Sequence, residues 1–352
     1  MKLFVGDWWS RQRPSLDVAG QMVAIAELKG RAELYSKQTP QALETLRQVA
    51  LIQSTESSNR IEGIEISGER LLALMKTKTA PLNRSEAEIA GYRSALDLIH
   101  GAAPELTVTP HTIRTLHQLL FKMTDRPGGE WKRSDNLIVD RLHDGATVTR
   151  FTPVPALETP HAMEQLCAEY LRQEEVRAVP LLLLIPTFVL DFLCIHPFTD
   201  GNGRVARLLT LLLLYQQEFN VGRFISLEKI IEDSKETYYE SLQRSSIGWH
   251  EGQHDPSPWW SYWLGTVLAA YRQFEERAGT VQQRRGGKTE MVLSAIENIP
   301  GEFTIQDLQK RAPTASKELI RHVLQQERAA GRVACSGRGR DAHWRRTVSA
   351  SD

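Results

Sequence analysis

Two strongly apolar stretches, Val179 to Leu190 and Leu208 to Leu214, lie on either side of a polar segment that begins at His196. The first is interrupted by Pro180 and Pro186 and closed by Asp191, so it falls short of the roughly 20 apolar residues that a bilayer-spanning helix needs. No membrane span is expected. Around these stretches apolar residues recur at helical intervals: Leu43, Leu46, Val49 and Ala50; Ile113, Leu116, Leu119 and Leu120; Met163, Leu166 and Tyr170. The first 280 residues of the 352 therefore read as a mostly α bundle, with helix resuming near Thr159 and running, with proline breaks, to Ile195.

One stretch departs from the helical period. Asn136 to Val139 and Thr147 to Phe151 are β-prone, with His143-Asp144-Gly145 between them as a turn, so a hairpin should stand among the helices. Further on, Trp259, Trp260 and Trp263 form a helical stripe, read as core or a subunit contact in preference to a ligand platform. Gly279 to Lys288 is rich in Gly, Gln and Arg and reads as a linker. Beyond it come a helix from Thr289 to Asn298, the segment Phe303 to Leu308, a helix from about Ser316 to Ala330, and short β-prone pieces around Gly337-Arg338-Gly339. That is the order of a winged helix. The expected organisation is an N-terminal helical region over 1–105, a core over 106–280 and a small C-terminal winged-helix domain over 288–347.

Lys and Arg equal Asp and Glu at 43 each, yet from Arg284 onward the basic residues outnumber the acidic ones. Lys317 and Arg321 on one helix, with Arg338, Arg340, Arg345 and Arg346 around the wing, could contact DNA phosphates or dock a protein. Cys167, Cys194 and Cys335 are far apart and lack metal-type spacing, so neither a disulfide framework nor a zinc site is expected, and Cys194 reads as a packing residue. Met1 to Asp7 does not resemble a secretory leader, which makes a cytoplasmic location the expectation. Gly286-Gly287-Lys288-Thr289 fails as a P-loop, because position 282 is Gln282 where that pattern needs glycine, and no strand is expected before it.

The chemistry concentrates in His196-Pro197-Phe198-Thr199-Asp200-Gly201-Asn202-Gly203-Arg204-Val205-Ala206-Arg207. Gly201 and Gly203 let backbone N–H groups at a helix start approach a phosphate, with the helix dipole adding attraction. Asn202 supplies another neutral donor. Arg204 and Arg207, at i and i+3, share a helix face and can grip successive phosphates with planar forks. Asp200 is a hard oxygen ligand of the kind that holds Mg²⁺ together with substrate phosphates and water. His196, with an ordinary pKa of about 6.5, is a natural general base for a hydroxyl. A lone histidine is more often structural. Clustered with an acid, a Gly-Asn-Gly turn and two arginines, which would be costly to bury unpaired, it reads as functional.

Position by position the segment resembles the motif His-Pro-Phe-x-(Asp/Glu)-Gly-Asn-(Gly/Lys)-Arg-x-x-Arg of the Fic family. The resemblance implies a mostly α, Fic-type helical bundle with a β-hairpin flap. It also implies a protein adenylyltransferase that moves AMP from Mg-ATP onto a Ser, Thr or Tyr hydroxyl of a target protein and releases pyrophosphate. ATP and Mg²⁺ are then expected, with His196 as the base and Asp200 as the metal ligand. Gly201, Asn202 and Gly203 would form the anion hole around the α-phosphate, Arg204 would hold the β-phosphate and Arg207 the γ-phosphate, and Phe198 would anchor the loop. Some relatives transfer other phosphate-containing groups; the standard motif favours AMP.

Upstream, Ser58 and Glu62 lie at i and i+4, and their stretch resembles the (Ser/Thr)-x-x-x-Glu-(Gly/Asn) signature of the Fic inhibitory helix, here over about 54–63. By that resemblance Glu62 pairs with Arg207 and leaves ATP unproductive; taken alone, it reads as a solvated carboxylate near a helix end. The hairpin between Asn136 and Phe151 stands where Fic proteins carry the flap, which holds the target in extended form; otherwise it is a covering loop. Tyr238-Tyr239 resembles the family's helix beside the nucleotide; one of the two is expected at the adenosine, with Tyr239 the candidate named, and since consecutive helical residues point about 100° apart the other belongs to the core, the sequence leaving open which is which. The protein itself is a further target, and a homodimer follows from the resemblance alone. The competing reading is a DNA-binding regulator whose Fic core serves as a nucleotide sensor.

Overall fold

The two apolar stretches become neighbouring buried helices. The computed structural model describes residues 8–347 apart from 39, 78, 127, 142–146, 283–287, 300, 313–314 and 338–341, and it divides into two compact units, Met1–Glu275 and Glu276–Asp352. As the periodicity predicts, the chain is mostly helical, with two small antiparallel sheets.

In the first unit, α1 (Trp8–Arg11) and α2 (Leu16–Gln38) lead into α3 (Pro40–Ile61), α4 (Gly68–Thr77), α5 (Arg84–Ala102) and α6 (Pro110–Phe121). The hairpin of β1 (Ile138–Arg141) and β2 (Thr147–Phe151) follows. Then come α7 (Thr159–Val176), α8 (Leu181–Ile195), α9 (Asn202–Gln216), α10 (Leu227–Asp233), α11 (Lys235–Ser246) and α12 (Ser257–Gln282), whose last residues fall past Glu275. Capping side chains set several starts by pairing N–H groups that a helix leaves free. Asn83 accepts from the Glu86 N–H at 2.9 Å, Thr109 from Thr112 at 3.1 Å and Ser226 from Lys229 at 3.0 Å.

Helices α8 and α9 are buried almost all round. A helix without a polar face has no stable place at a surface, and these two pack on each other, with α7 against α8 and α3, α5 and α6 against α9. Pro186 does not break α8, contrary to expectation. The helix runs through it, tied from α12 by the indole N–H groups of Trp259, on the Pro186 carbonyl at 2.7 Å, and Trp260, on the Thr187 hydroxyl at 2.9 Å. The tryptophan stripe is therefore core. Val49 is exposed although Leu43 and Ala50 on the same helix are buried, so the inward stripe of α3 is narrower than its apolar pattern.

The hairpin pairs Val139 with Thr149 and Arg141 with Thr147, with an irregularity between Ile138 and Val139. The expected turn at His143-Asp144-Gly145 lies outside the described residues.

The second unit contains α13 (Lys288–Asn298), β3 (Glu302–Phe303), α14 (Ile305–Arg311), α15 (Lys317–Ala329), β4 (Val333–Ser336) and β5 (His343–Arg346), with strand order β3-β5-β4. It has its own core, in which Val292, Ile296, Phe303, Leu308, Ile320, Leu324 and Trp344 pack together. Lys317, Arg321, Arg345 and Arg346 are exposed; Arg338 and Arg340 lie outside the described residues. The linker starts later than Gly279, because α12 continues to Gln282; one glycine costs a helix only about 1 kcal/mol. All three cysteines are free, and Cys194 is buried. Among the described residues no helix is long and apolar enough to cross a membrane.

Candidate functional site

The loop from His196 to Gly201 joins α8 to α9. His196 closes α8 in the left-handed conformation (φ 51, ψ 60), with its N–H on the Phe192 carbonyl at 2.9 Å. Glycine or asparagine usually takes that place; for other residues it costs of order 1–3 kcal/mol and persists only where the surroundings hold it. Phe198 is fully buried and stacked on His117, with 3.7 Å between ring centres. From α9 the Asn202 amide clamps the same residue, accepting the Phe198 N–H at 2.9 Å and donating to its carbonyl at 2.7 Å. The Asn202 side chain, expected as a donor to a ligand, is thus engaged in closing the loop. What it offers at the helix start is its main-chain N–H.

His196 Nδ1 lies 3.2 Å from the Leu193 carbonyl. That nitrogen carries the proton, which leaves Nε2 as an acceptor. Burial holds the ring's pKa down to about 4; the Leu193 carbonyl opposes the fall, and Lys132 and Arg150 reinforce it. The ring is neutral at pH 7, the form a general base needs.

The first N–H groups of α9 have no partners within the helix. A Cβ at Gly203 would stand 2.5 Å from Glu62 Oε1, so a glycine there lets a carboxylate come close to the helix start, where the dipole favours negative charge. Glu62 arrives because α3 ends in a glycine cap. Gly63 is left-handed (φ 77), its N–H bonds the Arg60 carbonyl at 2.9 Å, and the Ile64 N–H bonds the Asn59 carbonyl at 3.0 Å. The helix expected to reach residue 63 ends at Ile61, and Glu62 caps it. Glu62 Oε1 accepts from Arg207 Nη2 at 2.7 Å, while the Ser58 hydroxyl and carbonyl accept from Arg207 Nε and Nη2, each at 2.8 Å. Burial would raise the Glu62 carboxyl, but Arg207 outweighs it and the net shift is downward. Arg207 Nη1 is buried without a partner among the described residues.

Arg204 lies elsewhere. It is 1% exposed and pairs at 2.6 Å with Glu88 of α5, itself 2% exposed, and it is not among the residues lining the cleft. Spacing at i and i+3 sets both arginines on one face, but on an enclosed helix that face meets two walls. Helix α3 takes Arg207 and α5 takes Arg204.

The Asp200 side chain is 45% exposed; its Oδ1 accepts the Gly201 N–H at 2.7 Å, and its Oδ2 pairs with Arg126 at 3.0 Å. A single open carboxylate suits Mg²⁺, which draws most of its ligands from phosphate and water. A metal caged by protein does not fit, since no group of three or more His, Cys, Asp or Glu converges among the described residues.

Glu62, His196, Asp200, Gly201, Asn202, Gly203 and Arg207 line one cleft, with Tyr238 and Tyr239 of α11 and Arg150 and Phe151 of β2 completing its walls. Tyr238 is buried, whereas Tyr239 is partly open beneath Arg150, whose guanidinium stands 5.5 Å from the ring centre. Ser58 stands behind the wall. Sequence reasoning missed Glu88, His117, Lys132 and Asn136. His117 joins two remote segments, accepting the Gly129 N–H on Nδ1 at 2.8 Å and donating from Nε2 to the Asp200 carbonyl at 3.1 Å. No local pattern signals such a role; its position on the buried face of α6 is the only hint.

Residues 107–214 match the model of the Fic/DOC family. Among solved structures, a Fic family protein from Desulfovibrio desulfuricans G20 is 20% identical with a TM-score of 0.63, over 97% of this chain and 100% of its own. A Fic domain containing signaling protein from Bacteroides thetaiotaomicron is 21% identical with a TM-score of 0.60, over 73% and 97%. Fic-1 (aa134–508) from C. elegans is 17% identical with a TM-score of 0.59, over 75% and 74%. At such identities the likeness is one of fold.

Proposed function

We propose that this chain, which carries a Fic/DOC domain over residues 107–214, transfers AMP from ATP to a serine, threonine or tyrosine hydroxyl of a protein, and that Glu62 restrains it. The observation that most supports the reading is the shared cleft. A neutral imidazole with Nε2 unprotonated, the bare N–H groups of a helix start and an arginine with a buried donor lacking a partner line the same space.

His196 Nε2 takes the proton of the target hydroxyl as its oxygen bonds to the α-phosphorus. The bond from that phosphorus to the bridging oxygen breaks, and pyrophosphate leaves with the electron pair. The N–H groups of Gly203 and its neighbours face the charge that develops on the α-phosphate, and catalysis is largely this positioning and charge stabilisation. Arg204 is held by Glu88 outside the cleft lining, and it meets the β-phosphate only by turning from that pair toward the cleft. Asp200 would hold Mg²⁺, which when bound neutralises phosphate charge. Tyr239 flanks the adenosine, and the hairpin edge holds the target segment by strand addition. Copies of this chain are themselves candidate targets.

Glu62 occupies the grip that Arg207 would give the γ-phosphate, so ATP enters in a pose the base cannot use. In the second unit, the helix order and the three-stranded sheet support a winged helix that docks the enzyme on DNA or on a protein; binding of the full chain to duplex DNA that weakens with salt would identify DNA.

The test is incubation of the Glu62→Gly protein with Mg²⁺ and ATP labelled at the α- or the γ-phosphate. Label retained on protein only from the α-position, and lost in a further His196→Ala variant, is the expected result. Retention from the γ-position, or from neither, overturns the reading.

A further inference from the structure

The peptide group before His196 and the one after Pro197 are held from one short segment that leads into β1. Lys132 is 4% exposed, and its ammonium donates to the Ile195 carbonyl at 3.2 Å and to Asn136 Oδ1 at 2.8 Å. Its main-chain N–H donates to the Pro197 carbonyl at 2.8 Å. Asn136 then donates to the Phe198 carbonyl at 3.3 Å, the same oxygen that Asn202 holds from the other side.

A buried ammonium is costly unless its donors are used, and burial here lowers the Lys132 pKa to about 8, with Asp135 the opposing acid. An apolar residue would fill the same space without that cost. The Ile195 and Pro197 carbonyls move whenever His196 leaves the left-handed conformation, so groups that fix both oxygens fix the backbone between them.

We propose that Lys132 is a positioning residue for His196: it grips the carbonyls on both sides of that histidine, keeps its backbone left-handed and its Nε2 aimed, and through Asn136 ties the base to the root of the hairpin. The inference rests on His196 being the base of AMP transfer. Side-chain charges that bear on the imidazole are Glu62, Arg150 and Lys132, so removing the lysine charge also changes how the ring titrates.

The test uses the full chain in the Glu62→Gly background. Lys132→Met should lower kcat by about 10- to 100-fold with KM for ATP changed less than about 2-fold, and Lys132→Arg should recover most of the loss. The NMR titration of the His196 ring should move up by about half a unit in Lys132→Met but stay in place in Asn136→Ala, which keeps the charge and loosens the grip. Unchanged kcat with an unmoved titration, or a rise in KM alone, overturns the proposal. Should Lys132→Met fail to fold, an unaltered kcat in Asn136→Ala overturns it. If no AMP transfer occurs even in the parent, the proposed function fails by itself, and a crystal structure of Lys132→Met still decides the grip: His196 should leave the left-handed conformation, and an unmoved backbone there overturns the proposal.

Discussion

Glu62 Oε1 stands 2.7 Å from Arg207 Nη2 beside the start of α9, while Nη1 of the same guanidinium is buried without a partner among the described residues. One half of the fork is held and the other half is free. Removing the carboxylate should release the grip without disturbing the helix, since Ser58 still holds Arg207 through its hydroxyl and carbonyl. Glu62→Gly is expected to raise AMP incorporation into the chain and its targets by an order of magnitude or more. Equal rates for the two proteins at saturating ATP would remove the brake from the account.

Arg204 and Glu88 form a buried pair, and the exposed Arg84 is a second partner of Glu88 at 2.7 Å. Breaking such a pair leaves a buried charge and costs about 3–5 kcal/mol, whereas replacing both members by apolar residues is often neutral. Glu88→Ala should therefore lower the denaturation midpoint strongly, and Arg204→Met with Glu88→Leu should restore most of it. A double variant no better than the single one would show that the pair is not the source of the loss.

Burial lowers the pKa of His100, His117, His196 and His254, each to about 4, from an ordinary 6.5. Between those values the unfolded chain binds protons that the folded chain refuses, so the stability these groups confer is complete above about pH 6.5 and declines as pH falls toward 4. Protonating His117 Nδ1 would in addition break its bond from the Gly129 N–H. Thermal melts should shift steadily downward from pH 7 to 4.5, and a midpoint constant over that range contradicts the assignment.

Arg126 competes for Asp200 Oδ2 at 3.0 Å. The pair is half exposed, so its strength is modest, about 1 kcal/mol or less. Arg126→Ala should lower the Mg²⁺ concentration giving half-maximal AMP transfer by about 2- to 5-fold and leave the maximal rate similar. A raised Mg²⁺ requirement would instead make Arg126 part of the site.

Much of the site is legible along the chain because its chemistry is nearly contiguous. A loop between two apolar helices puts His196, Asp200, the glycines and Arg207 within twelve consecutive residues that line one cleft, and the Glu62-Gly63 pair marks a helix end. What escaped is what arrives from far away. Glu88 reaches Arg204 across 116 positions, and Lys132 reaches the Ile195 carbonyl across 63. Neither belongs to a pattern with its partner. Pro186 and Gly279 misled for a related reason: each weakens a helix locally, and the helix nevertheless continues.

The sequence by itself determined the helical character, the hairpin and the set of groups in the loop, since periodicity and short spacing fix which side chains share a face. Tertiary structure decided what those groups are free to do. It set the neutral tautomer of His196, engaged the Asn202 amide, gave Arg204 to Glu88 and left one nitrogen of the buried Arg207 unpaired beside Glu62. Burial and pairing energies depend on which remote groups meet, and no local order of residues encodes that meeting.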